Sequence, residues 1–310
     1  MKTQLDVRGV LPPLTTPFSA DGALALDRLT ANLAIYNKLP LAGYVITGST
    51  GEAVLLTLEE TERVWAAARE AAAPGKILIA GTGVDSTTET IARTRRAAEL
   101  GYDAALVKTP YYYKPMMNPA AQEEHYLRVA DASPIPLFIY SVPMFTGITV
   151  EADLAARLAR HPNIAGIKDS AGSPQRSGEI VRQSPAGFQT VVGSAQNFAA
   201  SLAAGARGGV LALACVLPEL CAELYQAHTR GELARVAEIQ RLIAGPAVAV
   251  VGKYGPAGVK YAMDLRGYYG GPPRPPLQRP AGDSAAEITQ SLKAVMKEAE
   301  ASALASPARA

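Results

Sequence analysis

The sequence predicts an α/β protein, a (β/α)8 TIM barrel with a C-terminal helical extension. Three observations lead there: short apolar runs alternate with amphipathic stretches, eight such pairs can be counted, and several runs end in Gly, Ser or Thr directly before a helix. This alternation argues for parallel βα units rather than hairpins, because parallel neighbours need a crossover between them. The 310 residues suit one barrel with additions.

In chain order the strand candidates are residues 10–15, 43–47, 77–81, 104–108, 136–140, 164–169, 189–193 and 209–213. Helices are expected between them, most clearly over 26–37 and 59–72, and Thr57 with Glu60 has the spacing of a capping box ahead of the second. The turns Thr47-Gly48-Ser49-Thr50-Gly51-Glu52 and Gly81-Thr82-Gly83-Val84-Asp85-Ser86 leave backbone N–H groups free for an anion. Residues 1–230 hold the barrel and 231–310 a helical region, with helices expected over 232–243, 257–265 and 284–300. Gly270-Gly271-Pro272-Pro273-Arg274-Pro275-Pro276 reads as an ordered loop, since proline removes donors and fixes φ. The Ala-rich end to Ala310 has little to bury and is expected to fray.

Apolar residues make up 48% of the chain and charged ones 19%, enough for a sizeable core. Thirty basic against twenty-eight acidic side chains give a charge of +2, too balanced for nucleic-acid binding by counterion release. Cys215 and Cys221 fit neither a zinc pair nor a disulfide framework and read as reduced, buried thiols. His125, His161 and His228 are isolated, so no metal site is implied, and no GK[ST] loop points to a nucleotide. No signal peptide is evident, and no run approaches the ~20 apolar residues of a bilayer span, which places the protein in the cytoplasm.

Candidate chemistry gathers at strand ends, which in a barrel face the active site. Ile164-Ala165-Gly166-Ile167-Lys168-Asp169 ends an apolar strand in a lysine. A low-dielectric wall would push that amine toward its neutral, nucleophilic form, although a lysine snorkelling to solvent has the same pattern. Lys108 ends another strand, and spacing does not choose between the two. Tyr140 closes the strand before Lys168 and offers a phenol for proton transfer, or simply a packed ring. Gly48, Ser49 and Thr50 suit a carboxylate, or a helix cap. Tyr111-Tyr112-Tyr113 follows the strand carrying Lys108, and alternation does not bury all three, which fits a surface loop or a subunit contact.

Together, Pro12-Pro13-Leu14-Thr15-Thr16-Pro17-Phe18, Gly48-Ser49-Thr50-Gly51-Glu52, Thr109-Pro110-Tyr111-Tyr112, Tyr140-Ser141-Val142-Pro143, Gly166-Ile167-Lys168-Asp169 and Gly208-Gly209-Val210 resemble, in order and spacing, the dihydrodipicolinate synthase and N-acetylneuraminate lyase family of pyruvate-dependent aldolases. The resemblance covers almost the whole chain and implies a class I aldolase with no cofactor, holding pyruvate as an imine on Lys168 rather than on Lys108. It implies that Tyr140 relays protons, and that Thr50 with the neighbouring Ser49 binds the carboxylate and links Tyr140 to Tyr112 of an adjacent subunit. Gly48, Gly193 and Leu211 join the substrate-binding set, and a homotetramer built from tight dimers follows. Synthases usually carry an arginine where Phe145 stands, and a phenyl ring lacks a guanidinium's bidentate grip. That loop and Gly267-Tyr268-Tyr269-Gly270-Gly271-Pro272-Pro273-Arg274 look like the 4-hydroxy-2-oxoglutarate aldolase branch, implying cleavage to pyruvate and glyoxylate. Condensation of pyruvate with aspartate semialdehyde is the alternative, and a catalytically silent 2-oxo acid sensor a third reading.

Overall fold

The computed structural model describes residues 5–301; the end expected to fray lies outside the described residues from 302 onward. The strands are β1 (Gly9–Leu11), β2 (Gly43–Ile46), β3 (Ile77–Gly81), β4 (Ala104–Lys108), β5 (Leu137–Ser141), β6 (Ile164–Asp169), β7 (Gln189–Val192) and β8 (Gly208–Val210). The helices are α1 (Leu26–Tyr36), α2 (Leu58–Ala71), α3 (Thr87–Glu99), α4 (Pro119–Ala132), α5 (Pro143–Thr146), α6 (Ala152–Leu158), α7 (Pro174–Gln183), α8 (Phe198–Ala203), α9 (Pro218–Thr229), α10 (Leu233–Pro246), α11 (Lys253–Leu265) and α12 (Gly282–Ala301).

All strand pairs are parallel, and the order runs β1-β8-β7-β6-β5-β4-β3-β2. The first strand ends at Leu11, short of the expected residue 15, because Pro12 and Pro13 bring no N–H to a ladder. Their carbonyl side still serves: Ala42 N–H donates to Val10 O at 2.9 Å, Val45 N–H to Pro12 O at 3.1 Å and Leu14 N–H to Val45 O at 2.9 Å. These bonds draw β1 against β2 and close the barrel seam. Inside, Leu11, Val45, Ile79, Leu106, Phe138 and Val191 fill the lumen, while Val107, Ile139 and Ile167 face outward against the helical layer. The capping box at Thr57 and Glu60 forms as the sequence predicts.

The C-terminal region departs further from its expected outline. The expected helices over 232–243 and 257–265 and a π-helical turn between them, Ala247–Gly252, form one run that passes Pro246 and kinks at Gly255 (φ 51°) ahead of Pro256. By length and composition this run, Leu233–Leu265, could cross a membrane, a candidate that counting uninterrupted apolar residues misses. Half of its most apolar window is buried inside the protein. Val236, Ile239, Val259, Ile288 and Val295 share one apolar cluster with Leu29, Tyr36 and Trp65 of the barrel's outer layer, so the extension packs as part of that core. Cys215 and Cys221 are free and buried.

Candidate active site

Strand register sets the central row. Lys108 pairs with Tyr140, and Tyr140 with Lys168, across β4, β5 and β6 at their carboxyl ends. Period-two alternation turns Lys168 into the barrel mouth and Asp169 outward, where its carboxylate meets Arg176 at 3.3 Å. Burial raises the Asp169 pKa, and Arg176 opposes that shift. Lys168 is buried, with Nζ 4.2 Å from the centre of the Tyr140 ring. The Tyr140 hydroxyl in turn lies 3.3 Å from Ser49 Oγ.

Ser49 stands on the turn after β2, which is bracketed by Thr47 at φ 54° and Glu52 at φ 56°, the non-glycine residues with positive φ among those described. Each such conformation costs on the order of 1–3 kcal/mol and persists only where its surroundings over-determine it. Thr47 Oγ1 accepts the Trp65 indole N–H at 2.7 Å, and Thr16 Oγ1 donates to Gly51 O at 2.6 Å. The turn therefore holds its shape before any ligand arrives. Of the Thr50 and Ser49 pair expected to link to Tyr140, it is Ser49 whose hydroxyl meets the phenol; Thr50 lines the same cavity beside it.

That cavity encloses about 330 Å³, and Ser49, Thr50, Tyr140, Phe145, Lys168 and Gly193 all line it. A Cβ at position 193 would lie 1.9 Å from Ser170 Oγ and 3.3 Å from Lys168 Cε, so a side chain there would force Ser170 aside and press on the lysine stem. Ala247, Val251, Pro256 and Val259 form the wall contributed by the π-turn region, so the extension builds part of the site. Among the described residues lining the cavity, Lys168 is the one cationic side chain. A smaller, more apolar cavity adjoins it, sharing Ser49, Tyr140 and Phe145 and adding Gly48, Lys108 and Tyr111. Leu211 lines neither; it is fully buried in the outer core, while Val210 and Ala212 on either side face the mouth. Tyr112 is 75% exposed and meets no part of its own site row. Its loop is pinned by Asp85, which accepts the Tyr111 and Tyr112 N–H groups at 2.7 and 2.9 Å.

Lys108, the rival lysine, is engaged elsewhere: Nζ donates to Gly83 O at 2.8 Å beside the Tyr111 ring, and burial lowers its pKa. Next to it His125 is buried with Nε2 unpartnered, and burial, reinforced by the Lys108 charge, pushes its pKa down to about 4. Sequence reasoning missed Ser170, Asp85 and the partners of Glu52. Ser170 follows the candidate lysine by two and was within reach; the others declare themselves only through contacts distant in sequence.

The profile of the dihydrodipicolinate synthetase family matches residues 6–298. The chain is 35% identical over 288 residues to a 4-hydroxy-tetrahydrodipicolinate synthase of Exiguobacterium, covering 92% of this chain and 97% of that protein. It is 36% identical over 287 residues to the enzyme of the same name from Methanosphaerula palustris, covering 92% and 98%. The crystal structure of dihydrodipicolinate synthase from Aquifex aeolicus superposes with a TM-score of 0.88 at 30% identity, covering 93% of this chain and 98% of that one. The chloride-inhibited, pyruvate-complexed synthase of Acinetobacter baumannii gives 0.89 at 29% identity, covering 94% and 99%. The residues at the barrel mouth thus sit in a chain that belongs to the dihydrodipicolinate synthetase family, enzymes of the class I aldolase type that make or break carbon–carbon bonds.

Proposed function

We propose that the protein binds pyruvate as an imine on Lys168 and joins its methyl carbon to an aldehyde, with aspartate semialdehyde as the partner. The carrying observation is the Lys168 amine in the mouth cavity against Tyr140, whose hydroxyl reaches Ser49. In the neutral state the amine adds to C2 of the 2-oxo acid and water leaves, giving a protonated imine. Loss of a C3 proton then yields an enamine, whose carbon attacks the aldehyde; hydrolysis returns the free lysine. The imine nitrogen is itself the electron sink, so the route calls for no cofactor. Tyr140 moves the proton that leaves or joins the oxygen at C2 and at the aldehyde, and Ser49 holds its hydroxyl. The turn amides and Thr50 take the carboxylate.

The names of the relatives support condensation. Cleavage of 4-hydroxy-2-oxoglutarate is the second reading, favoured by Phe145, which lines the cavity where synthases usually offer an arginine. Borohydride added with pyruvate should fix a reduced adduct on Lys168; a label on Lys108 instead would falsify the assignment. Parallel assays of semialdehyde consumption and of pyruvate release from 4-hydroxy-2-oxoglutarate decide the direction, the larger kcat/KM naming the reaction.

A further inference from the structure

We propose that the buried Glu52–Lys260 ion pair, closed over by the Arg274 segment, is a positioning device that sets the Ser49 hydroxyl against Tyr140. Glu52 ends the strained turn, and its N–H donates to Ser49 O at 3.1 Å, so any shift of Glu52 is passed to Ser49 through one hydrogen bond. Its carboxylate is fully buried, paired with the equally buried Lys260 ammonium of α11, and accepts the Arg274 N–H at 2.8 Å. Lys260 also donates to Pro272 O at 3.0 Å and stands 4.3 Å from the centre of the Phe18 ring. The Arg274 guanidinium lies over the same ring at 4.2 Å and grips both Glu60 oxygens at 2.6 and 2.7 Å. A Cβ at Gly270 would fall 1.8 Å from Lys260 O, so this loop can lie on α11 only because a glycine occupies that point.

Two features separate positioning from mere stabilisation. Left-handed backbone is disfavoured for a residue with a Cβ, so Glu52 at φ 56° places its carboxylate against the local backbone preference. A buried ion pair, moreover, is commonly no more stable than apolar side chains of equal volume, because both charges must be stripped of water. What the pair provides over such a substitute is direction, since a carboxylate held by an ammonium and a backbone amide has one placement. The placement it fixes is the end of the turn that carries Ser49.

The proposal rests on the pyruvate reading, and solvent deuterium entering the pyruvate methyl group tests both without an aldehyde. The chain carrying Glu52→Gln with Lys260→Met removes both charges at near-constant volume; Glu52→Gln with Lys260→Gln, which also leaves no buried charge unpaired, is the second variant, decisive if the first fails to fold. Rates are taken per folded molecule, counted from thermal unfolding. We expect the neutralised chains to exchange ~10- to 100-fold more slowly with a raised KM for pyruvate, the scale of a small misplacement of a catalytic group. Ser49→Ala should slow the unaltered protein at least ~10-fold yet cost less than ~2-fold in the neutralised background, the non-additivity of coupled groups. Parental exchange in the folded variants, or an equal Ser49→Ala penalty in both backgrounds, overturns the positioning role. Absence of exchange in the unaltered protein overturns the pyruvate reading itself, and the proposal with it.

Discussion

Room around Lys168 is set by Ser170 and Gly193, whose crowding leaves no place for a methyl group. Gly193→Ala should therefore displace Ser170 and the lysine stem, cost about 1–3 kcal/mol of stability and slow borohydride trapping of pyruvate per folded molecule by ~10- to 100-fold; trapping at the parental rate would show that the lysine does not need that position. His125 gives a different test. Its folded pKa is depressed from 6.5 to about 4, so the folded state binds fewer protons than the unfolded one between those values. Stability is then fully present above pH 6.5 and falls as the pH drops toward 4, by up to about 3 kcal/mol. His125→Gln should flatten that portion of a denaturant-derived stability profile, and an unchanged slope would assign it to other groups. That Lys108, Tyr140 and Lys168 stand at strand ends was legible because strand ends and period-two alternation are local properties, but those properties did not choose between the two lysines. Which member of the Ser49–Thr50 pair meets Tyr140 was not legible, since it depends on two unusual φ angles that composition does not encode.

Elements that punctuate themselves were readable to the residue. The strands β3, β4 and β6 are uninterrupted apolar runs between turn residues, and their bounds coincide with those expected. Strand β1 was overextended because Leu14 and Thr15 look like strand, whereas the prolines before them end the ladder. In the α10–α11 run the π turn carries the helical path past Pro246, beyond the expected end at residue 243, whereas the expected start at 257 falls directly after the kink at Gly255 and Pro256. The cap of α2 is an element-level prediction. Thr57 accepts the Glu60 N–H and Glu60 returns the bond, so Thr57→Ala should cost about 1 kcal/mol in urea-derived stability. Activity per folded molecule should be unaffected, since the cap lies away from the cavity lining; a large loss of turnover would mean that α2, through the Trp65 bond to Thr47, transmits end fraying to the turn.

At the scale of the whole molecule, Tyr112 projects from its own barrel on a loop pinned by Asp85. If a neighbouring subunit receives it, the exchange is mutual, as a two-fold contact requires. Mixing inactive Lys168→Ala and Tyr112→Phe chains under exchange conditions should then restore part of the activity, because a Tyr112→Phe chain keeps its lysine and borrows a tyrosine. No recovery despite subunit exchange verified by mass would confine the site to one chain. Barrel closure carries a consequence for synthesis. Gly9 pairs with Gly208, and Glu52 finds Lys260 and Arg274 only later still along the chain. Such contacts are slow to form, since nearly the whole polypeptide must be brought together first. On the ribosome the first strand emerges early and waits, its edge unpaired and the Glu52 carboxylate without its counter-charge. Catalytic competence then waits on a segment 222 residues downstream of the turn, and a chain released before it would own every residue of the site row while lacking the partners of Glu52.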